Sequence, residues 1–324
     1  MTASIRDVHE RRRLGTDGPE VTGIGIGGSP LGGGRMRDLY GHDTAASDAV
    51  DTVLAVLEGP FNFLDTSNNY SEGESERRIG EAIARRGGLP EGFVLATKVD
   101  GDPSRGDFSA ARVRDSIAES IDRLGVDRFP LVHLHDPEHF LDVETALTED
   151  GPARAVVELK EQGVAASIGI AGGTVSEMLG YVRSGLFDVL LTHNRYTLLD
   201  RSARPLLEEA RERGMGVLNA APFGGGILAK GPSVLDRYAY GMGSPEQLDA
   251  ARRMERACLA RDVPLAAAAL QFSTRDALVD STIVGVSNPR RLQELERYAS
   301  IEVPDDLWDE LERLTPPEES WIRD

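Results

Sequence analysis

The chain has very little cysteine and no long apolar run. A single cysteine, Cys258, cannot form an intrachain disulfide, so the protein is compatible with a reducing compartment. We interpret Cys258 as a small core residue. No segment approaches the roughly 20 apolar residues that a membrane-spanning helix needs. The first residues, MTASIRDVHERRR, also lack the apolar segment of a secretory signal peptide. The sequence therefore predicts a cytoplasmic protein that makes no membrane contact.

Positive charge is scarce as well. The 36 lysine and arginine residues are outnumbered by 54 aspartate and glutamate residues, which gives a formal net charge of −18. Such a charge repels nucleic acids and anionic membrane surfaces, and the one basic cluster in the sequence is Arg11 to Arg13. We therefore expect small-molecule ligands and no nucleic-acid partner. The sequence carries no signal for an oligomeric state.

Apolar runs typical of buried strands recur between longer segments with helical spacing. With the glycine-rich run at 24–28 there are eight of them, and the other seven lie at 61–65, 93–99, 131–136, 166–170, 187–192, 216–221 and 281–286. This alternation favours parallel βαβ units, and no linker divides the chain. A length of 324 residues is ordinary for one α/β barrel. The sequence therefore predicts a single (β/α)8 TIM-barrel domain over residues 1–324.

Segments outside this alternation predict a hairpin, two long loops and a tail. Two short extended pieces flank the turn at 16–18 and predict an N-terminal β-hairpin that closes the barrel floor. The connections at 27–44 and 224–247 are long enough to cover a substrate at the reactive rim. The end of the chain predicts a C-terminal helix and a tail, in which we expect Trp321 to pack on the surface.

Three predicted strands place an ionisable side chain near their carboxyl ends. Asp65 ends the run FNFLD, Lys98 lies near the end of FVLATKV, and His135 lies near the end of LVHLHD. In a parallel barrel these ends meet at one rim, which is where active sites of this architecture are built. We therefore expect the three side chains to converge.

A tyrosine completes this set. A buried ammonium needs a partner, which Asp65 can supply to Lys98. Tyr70 follows Asp65 closely enough for its loop to fold back over the rim. Because an ammonium stabilises a neighbouring phenolate, we expect the pKa of Tyr70 to lie below its ordinary value of about 10. The four residues together predict an acid–base site.

The segments around these residues resemble the aldo-keto reductases, nicotinamide-dependent enzymes with a (β/α)8 barrel. FNFLDTSNNYSEGESERRIGEAI is similar to the family's Asp and Tyr segment, FVLATKV to its Lys strand and LVHLHDPE to its His strand. The resemblance implies that Tyr70 protonates the carbonyl oxygen of the substrate and that Lys98 and Asp65 tune its acidity. It also implies that His135 orients that carbonyl group.

The resemblance further implies where NADP or NAD binds. Arg291, in STIVGVSNPRRLQELE, falls where the family binds the adenosine end of the cofactor, beside a helix N-terminus suited to phosphate. Asn194, in THNRYTLLD, falls where a side-chain amide grips the nicotinamide carboxamide. The cofactor-binding residues implied in this way are Asn194, Pro222, Phe223, Gly285, Ser287 and Arg291.

Three positions depart from the family's pattern. The common Ser-Asn pair after the fifth strand is replaced by the segment 170–172 (Ile-Ala-Gly). Ala220 replaces the aromatic residue that stacks on the nicotinamide, which leaves Phe223 to cover the ring. Gly285 stands where many members carry a cation for the 2′-phosphate, so the choice between NADP and NAD stays open.

The His-Asp-Pro, NRYTLLD and APF segments resemble one branch of this family, that of the D-threo-aldose, L-fucose and L-galactose dehydrogenases. This likeness implies hydride transfer between the nicotinamide and a carbonyl, an alcohol or a sugar hemiacetal. Oxidation of the hemiacetal would give a lactone, with Tyr70 acting as the base.

Three other functions fit the sequence less well. His133 and His135 alternate onto one strand face, as in metal-dependent hydrolases, but no further cluster lies at metal-ligand spacing and no metal site is predicted. Lys98 could form a Schiff base, but Asp65 would keep it charged. A nicotinamide-binding regulatory protein with little turnover is disfavoured by the complete four-residue set.

Overall fold

The barrel predicted from the sequence is closed. A computed structural model describes residues 7–34, 43–241 and 243–324, so part of the loop at 27–44 lies outside the described residues. The strands are β1 Arg11–Arg13, β2 Glu20–Thr22, β3 Ile24–Gly27, β4 Phe63–Asp65, β5 Val94–Val99, β6 Phe129–His135, β7 Ala165–Gly172, β8 Val189–His193, β9 Gly216–Ala220 and β10 Ser281–Gly285. Eight of them are parallel and form the barrel in the order β10-β3-β4-β5-β6-β7-β8-β9.

Helices alternate with these strands and pack around them. They are α1 Ala46–Glu58, α2 Glu74–Arg86, α3 Ala110–Leu124, α4 Val143–Ala146, α5 Pro152–Glu161, α6 Val175–Ser184, α7 Arg204–Glu212, α8 Ile227–Lys230, α9 Pro245–Leu259, α10 Leu265–Thr274, α11 Pro289–Ser300 and α12 Asp305–Leu314. Short 3-10 helices occupy Ser29–Gly32, Pro137–His139, Gly224–Gly226, Ala239–Gly241 and Glu318–Ser320. Within the described ranges, no helix is both long and apolar enough to span a bilayer.

The N-terminal hairpin closes the barrel floor. β1 and β2 pair antiparallel, with Arg12 opposite Val21. Leu14 and Val21 are fully buried in the same apolar cluster as Phe63 and Leu131 from the barrel strands. The hairpin thus removes the lower end of the barrel core from water and leaves the opposite end open for a ligand.

The C-terminal tail packs on the outside of the barrel. The Trp321 indole donates a hydrogen bond to the Pro316 carbonyl oxygen at 3.0 Å, so this side chain stays on the tail itself. The backbone N–H of Ile322 donates to Oδ2 of the buried Asp200 at 2.8 Å. Arg195 forms an ion pair of 2.8 Å with Asp324. These contacts hold the tail against Arg195, the residue next to Asn194 in the chain.

Helices α2 and α3 approach each other at a glycine. A Cβ atom added to Gly80 in α2 would lie 2.0 Å from the carbonyl oxygen of Arg123 in α3. The obstacle is backbone, which cannot rotate away as a side chain can. The close approach of the two helices therefore depends on the missing side chain.

We expect Gly80→Ala to destabilise the protein by about 1–3 kcal/mol because the methyl group forces the helices apart. Alanine is intrinsically favoured over glycine in a helix by about 1 kcal/mol, so the sign of the change distinguishes a clash from an unobstructed site. Gly180→Ala is the control, since its Cβ would meet only the rotatable side chain of Val143, at 2.7 Å, and should cost less. Urea denaturation measures both variants. Equal or higher stability of Gly80→Ala would contradict the packing argument.

Candidate active site

The structure brings the four residues singled out from the sequence to one end of the barrel. Asp65 is the last residue of β4, Lys98 lies near the end of β5, and His135 is the last residue of β6. The Nζ atom of Lys98 lies 2.6 Å from Oδ2 of Asp65 and 3.1 Å from the hydroxyl oxygen of Tyr70. The His135 ring meets the Tyr70 ring edge-on, with centroids 5.8 Å apart.

The Lys98 ammonium is buried with a complete set of acceptors. Its side chain is 1% exposed, and the third acceptor is the carbonyl oxygen of Thr66, at 2.7 Å. Burial raises the pKa of Asp65 above its ordinary value, against the opposing attraction of Lys98. The second carboxylate oxygen of Asp65, Oδ1, lacks a hydrogen-bond partner in the part of the chain that is described. The ammonium is therefore fixed between a carboxylate and a phenol.

The loop that carries Tyr70 turns back sharply after the tyrosine. Ser71, Glu72 and Gly73 follow it with positive φ angles of 52°, 57° and 87°. The hydroxyl group of Ser71 donates to the Gly33 carbonyl oxygen at 2.8 Å. This backbone conformation keeps the phenol over the barrel mouth.

Helix α3 holds the other side of this loop through Asn68, which sequence reasoning missed. The Asn68 amide nitrogen donates to the Ser116 carbonyl oxygen at 3.0 Å. Arg112 donates to the Asn68 side-chain oxygen at 3.1 Å, and Arg123 donates to its backbone oxygen at 2.8 Å. The charged residues on the inner side of α3 were the available signal, because an amphipathic helix normally turns such residues outward.

His135 lies between two carboxylates that sequence reasoning also missed. Its Nδ1 atom is 2.7 Å from Oδ1 of Asp100, and its Nε2 atom is 3.5 Å from Oδ2 of Asp136. Burial lowers the pKa of His135, but the charges of Asp136 and Asp100 more than offset this, so its pKa is raised above the ordinary value. The positions of the two acids, close after Lys98 and directly after His135, were the only signal in the sequence.

Asp136 and His193 extend the polar end of the site. Asp136 has a left-handed backbone conformation with φ 45°, which turns its side chain from the strand end. Its Oδ1 atom lies 3.8 Å from Nε2 of His193 at the end of β8. Burial raises the pKa of Asp136, but the charges of His135 and His193 outweigh it, so its pKa lies below the ordinary value. Asp136 is therefore a carboxylate at neutral pH.

A cavity of about 380 Å³ connects this polar end with the predicted cofactor residues. Asn194 is 1% exposed, has a φ of 59°, and its amide oxygen finds no partner among the described residues. An orphaned amide oxygen of this kind fits the amide of a nicotinamide. All of the predicted cofactor residues line this cavity, namely Asn194, Pro222, Phe223, Gly285, Ser287 and Arg291.

The far end of the cavity lies at the start of α11. Asn288 precedes this helix without a side-chain hydrogen bond to its first turn. Arg291 lines the cavity and pairs with Glu294 at 2.5 Å. A helix N-terminus with a nearby guanidinium fits the phosphates of a dinucleotide. Two of the three positions that depart from the family's pattern, Ala220 and Gly285, also line the cavity and contribute little bulk there.

The second histidine of β6 takes no part in this cavity. His133 is fully buried, and neither of its ring nitrogens finds a hydrogen-bond partner within the described ranges. Burial lowers the pKa of His133 well below its ordinary value, so the ring is neutral. Across residues 7–34, 43–241 and 243–324, no three histidine, cysteine, aspartate or glutamate residues are placed to hold a metal ion.

Comparisons with known proteins agree with this geometry. A model described as "Aldo/keto reductase family" matches residues 23–316. The chain is 34% identical to D-threo-aldose 1-dehydrogenase from Pseudomonas sp, over 91% of this chain and 97% of that protein. It is 32% identical to L-galactose dehydrogenase from Arabidopsis thaliana, over 88% and 86% of the two chains. The structure of aldo-keto reductase AKR11C1 from Bacillus halodurans (holo form) shares the fold, with a TM-score of 0.76 at 24% identity over 95% and 97% of the two chains.

We expect Arg291→Ala to weaken NADPH binding about tenfold, because a charge-assisted hydrogen bond to a phosphate is worth roughly 1.5–3 kcal/mol. NADH, which lacks the 2′-phosphate, should lose less. Arg290→Ala is the matched control, since Arg290 is exposed and does not line the cavity. Titration by nucleotide fluorescence gives each Kd. Equal Kd values for the two variants would show that Arg291 does not bind the cofactor.

Proposed function

This chain belongs to the aldo/keto reductase family, and on that premise we propose that Tyr70 is the acid and base of its active site. The protein is an NAD(P)-dependent oxidoreductase with relatives among the aldose and galactose dehydrogenases. The observation that carries the proposal is the contact of 3.1 Å between the Tyr70 hydroxyl oxygen and the Lys98 ammonium.

The proposed chemistry follows from the charges around the phenol. NAD(P) held by the cavity would accept or supply the hydride, and the residues of the protein would transfer the proton. When the substrate is oxidised, its O–H proton passes to the oxygen of Tyr70, and when a carbonyl is reduced the same proton returns. Lys98 stabilises the phenolate at that oxygen, and Asp65 holds Lys98 in place. His135 orients the reacting oxygen from the other side.

Six residues are proposed to hold NADP or NAD. The amide of Asn194 would hold the carboxamide group, and the apolar side chain of Phe223 would cover the ring. Arg291 and the N-terminus of α11 would hold the phosphates of the adenosine end. The remaining members of the set, Pro222, Gly285 and Ser287, line the cavity between these two ends.

The polar end of the cavity supports a polyhydroxylated substrate. A carboxylate accepts hydrogen bonds only, so Asp136 can bind the hydroxyl groups of a sugar but gains nothing from an apolar aldehyde. His193 lies beside it and also lines the cavity. Because two relatives are named for D-threo-aldoses and L-galactose, we propose that the substrate is an aldose and that its hemiacetal is oxidised at the anomeric carbon.

Two broader proposals accompany this function. Residues 1–324 are proposed to form one domain, which is supported by the plugging hairpin and by the contact of Ile322 with Asp200. A cytoplasmic location is supported by Cys258, which is a buried free thiol and suits a reducing compartment.

We expect Tyr70→Phe to lower kcat by about 10²–10⁴-fold, because the ring stays in place while the proton carrier is lost, together with one acceptor of Lys98. The Kd for NADH or NADPH should change less than about twofold, since the hydroxyl group faces the substrate. Tyr298→Phe is the matched control, because Tyr298 lines the same cavity from α11. Absorbance at 340 nm with a panel of aldoses measures turnover. Undiminished turnover in Tyr70→Phe would exclude Tyr70 as the acid.

We expect Asp136→Asn to lower kcat/KM for an aldose about tenfold more than kcat/KM for an aldehyde without hydroxyl groups, such as butanal. The loss of one charge-assisted hydrogen bond accounts for this ratio. The two substrates serve as mutual controls, since any indirect effect on His135 affects both. Equal losses of kcat/KM for both substrates would show that Asp136 does not bind the hydroxyl groups of the sugar.

A further inference from the structure

Asp100 takes no part in the proposed chemistry, yet it lies within hydrogen-bond distance of His135, which does take part. We infer that Asp100 is a positioning residue that fixes the ring proton of His135 on Nδ1 and thereby makes its cavity-facing nitrogen, Nε2, a donor only in the imidazolium form. The inference rests on the proposed function, because it assigns the state in which His135 meets the substrate.

The hydrogen bonds around Asp100 determine where the protons lie. Its Oδ2 atom accepts from the Ser67 hydroxyl at 2.5 Å and from the Asn69 backbone N–H at 3.0 Å. Its Oδ1 atom lies 2.7 Å from Nδ1 of His135. Two carboxylate oxygens can only accept, so an unprotonated Nδ1 would set one lone pair against another. Nδ1 of His135 therefore carries a proton.

Asp100 itself is held in place at the end of β5. It is 6% exposed. Its backbone N–H donates to the Ser116 hydroxyl oxygen at 3.0 Å, and its carbonyl oxygen accepts from Arg112 at 3.1 Å. Both partners lie on α3, which also holds the loop of Tyr70. The carboxylate is thus fixed against His135 by the same helix that fixes the phenol.

The tautomer limits what His135 can donate. A neutral ring with its proton on Nδ1 presents a lone pair at Nε2, which can accept a hydrogen bond but cannot donate one to a carbonyl oxygen. His135 can therefore orient a carbonyl group only as an imidazolium ion. Nε2 points toward the cavity side, where it lies 3.5 Å from Oδ2 of Asp136.

Several charged or titratable groups act on this ring from the neighbouring elements. Asp100 and Asp136 favour the imidazolium, Lys98 opposes it, and together with burial they leave the pKa of His135 raised. Other charged or titratable groups lie close to the His135 ring or to Asp136. Among the described residues, the complete set is Asp65, Tyr70, Lys98, Asp100, His133, Asp136, His139 and His193. The imidazolium form is present below the raised pKa and is lost as the pH rises through it.

His135 is not consumed in the reduction step, because the proton comes from Tyr70. A bound reduced nicotinamide would supply the hydride to the carbonyl carbon. The C=O π electrons then form the O–H bond with the proton from Tyr70, which is left as a phenolate. His135 donates a hydrogen bond throughout and keeps its proton. The kcat/KM for carbonyl reduction should therefore fall about tenfold per pH unit above the pKa of His135.

Asp100→Asn tests this assignment. The fixed N–H of Asn69 requires an acceptor, so the amide oxygen of the new side chain takes the place of Oδ2 and its NH₂ group faces Nδ1. The ring must then accept at Nδ1 and carry its proton on Nε2. We expect ¹⁵N NMR of the free enzyme to show the neutral His135 ring protonated on Nδ1 in the wild type and on Nε2 in the variant. Because a neutral ring with its proton on Nε2 can still donate to a carbonyl oxygen, the decline in kcat/KM with pH should disappear in the variant.

Two controls separate this effect from a general loss of charge or packing. Asp115→Asn removes one charge from an exposed position on α3. Ser67→Ala removes a hydroxyl that donates to Asp100 and lies 3.2 Å from Nδ1 of His135, but it leaves the Asp100 carboxylate 2.7 Å from that nitrogen. Both should keep the wild-type tautomer. A neutral wild-type ring protonated on Nε2, or an unchanged tautomer in Asp100→Asn, would overturn the inference. Because the NMR measurement needs no turnover, it is independent of the outcome for Tyr70→Phe.

Discussion

The buried ammonium of Lys98 is the constraint on which the rest of the site depends. A charge removed from water in a barrel core is destabilising by several kcal/mol unless its partners compensate it. Asp65, Thr66 and Tyr70 each provide an acceptor within 3.1 Å. Two of these partners are the last residue of β4 and the residue after it, and the third lies in a loop that turns back directly after it with positive φ angles. The requirement to satisfy one ammonium therefore fixes both the strand register and the path of the loop.

Helix α3 extends this constraint to Tyr70 and His135, the two residues proposed to meet the substrate. Its inner side contacts Asn68 in the Tyr70 loop and the backbone of Asp100 beside His135. The two groups that would meet the substrate oxygen are thus positioned by one helix, which packs closely on α2 at Gly80. In this arrangement, the polar residues on the buried side of α3 contribute to the geometry of the site as well as to stability.

The sequence predicted the barrel and its rim because both depend on local patterns. The apolar spacing of a strand or a helix is visible within one short segment of sequence. Because the carboxyl ends of parallel barrel strands lie at one rim, the sequence also predicts that Asp65, Lys98 and His135 lie close together. Bounds were less accurate: the run 61–65 forms a strand only over Phe63–Asp65, and the first barrel strand ends at Gly27. The contacts of Asp100, Asp136 and Asn68 were missed because they join elements far apart in sequence and depend on side-chain rotamers. The choice between NADP and NAD depends on the same kind of contact around Gly285 and Arg291.

We propose that the ammonium of Lys98 makes the phenol of Tyr70 unusually acidic. The most direct measurement is the tyrosinate absorbance near 295 nm as a function of pH, with the Tyr70→Phe titration subtracted to isolate this one phenol. We expect Tyr70 to ionise below the ordinary value of about 10, and Lys98→Met to move this ionisation to higher pH. Ionisation of Tyr70 at or above that ordinary value in the wild-type protein would contradict the account.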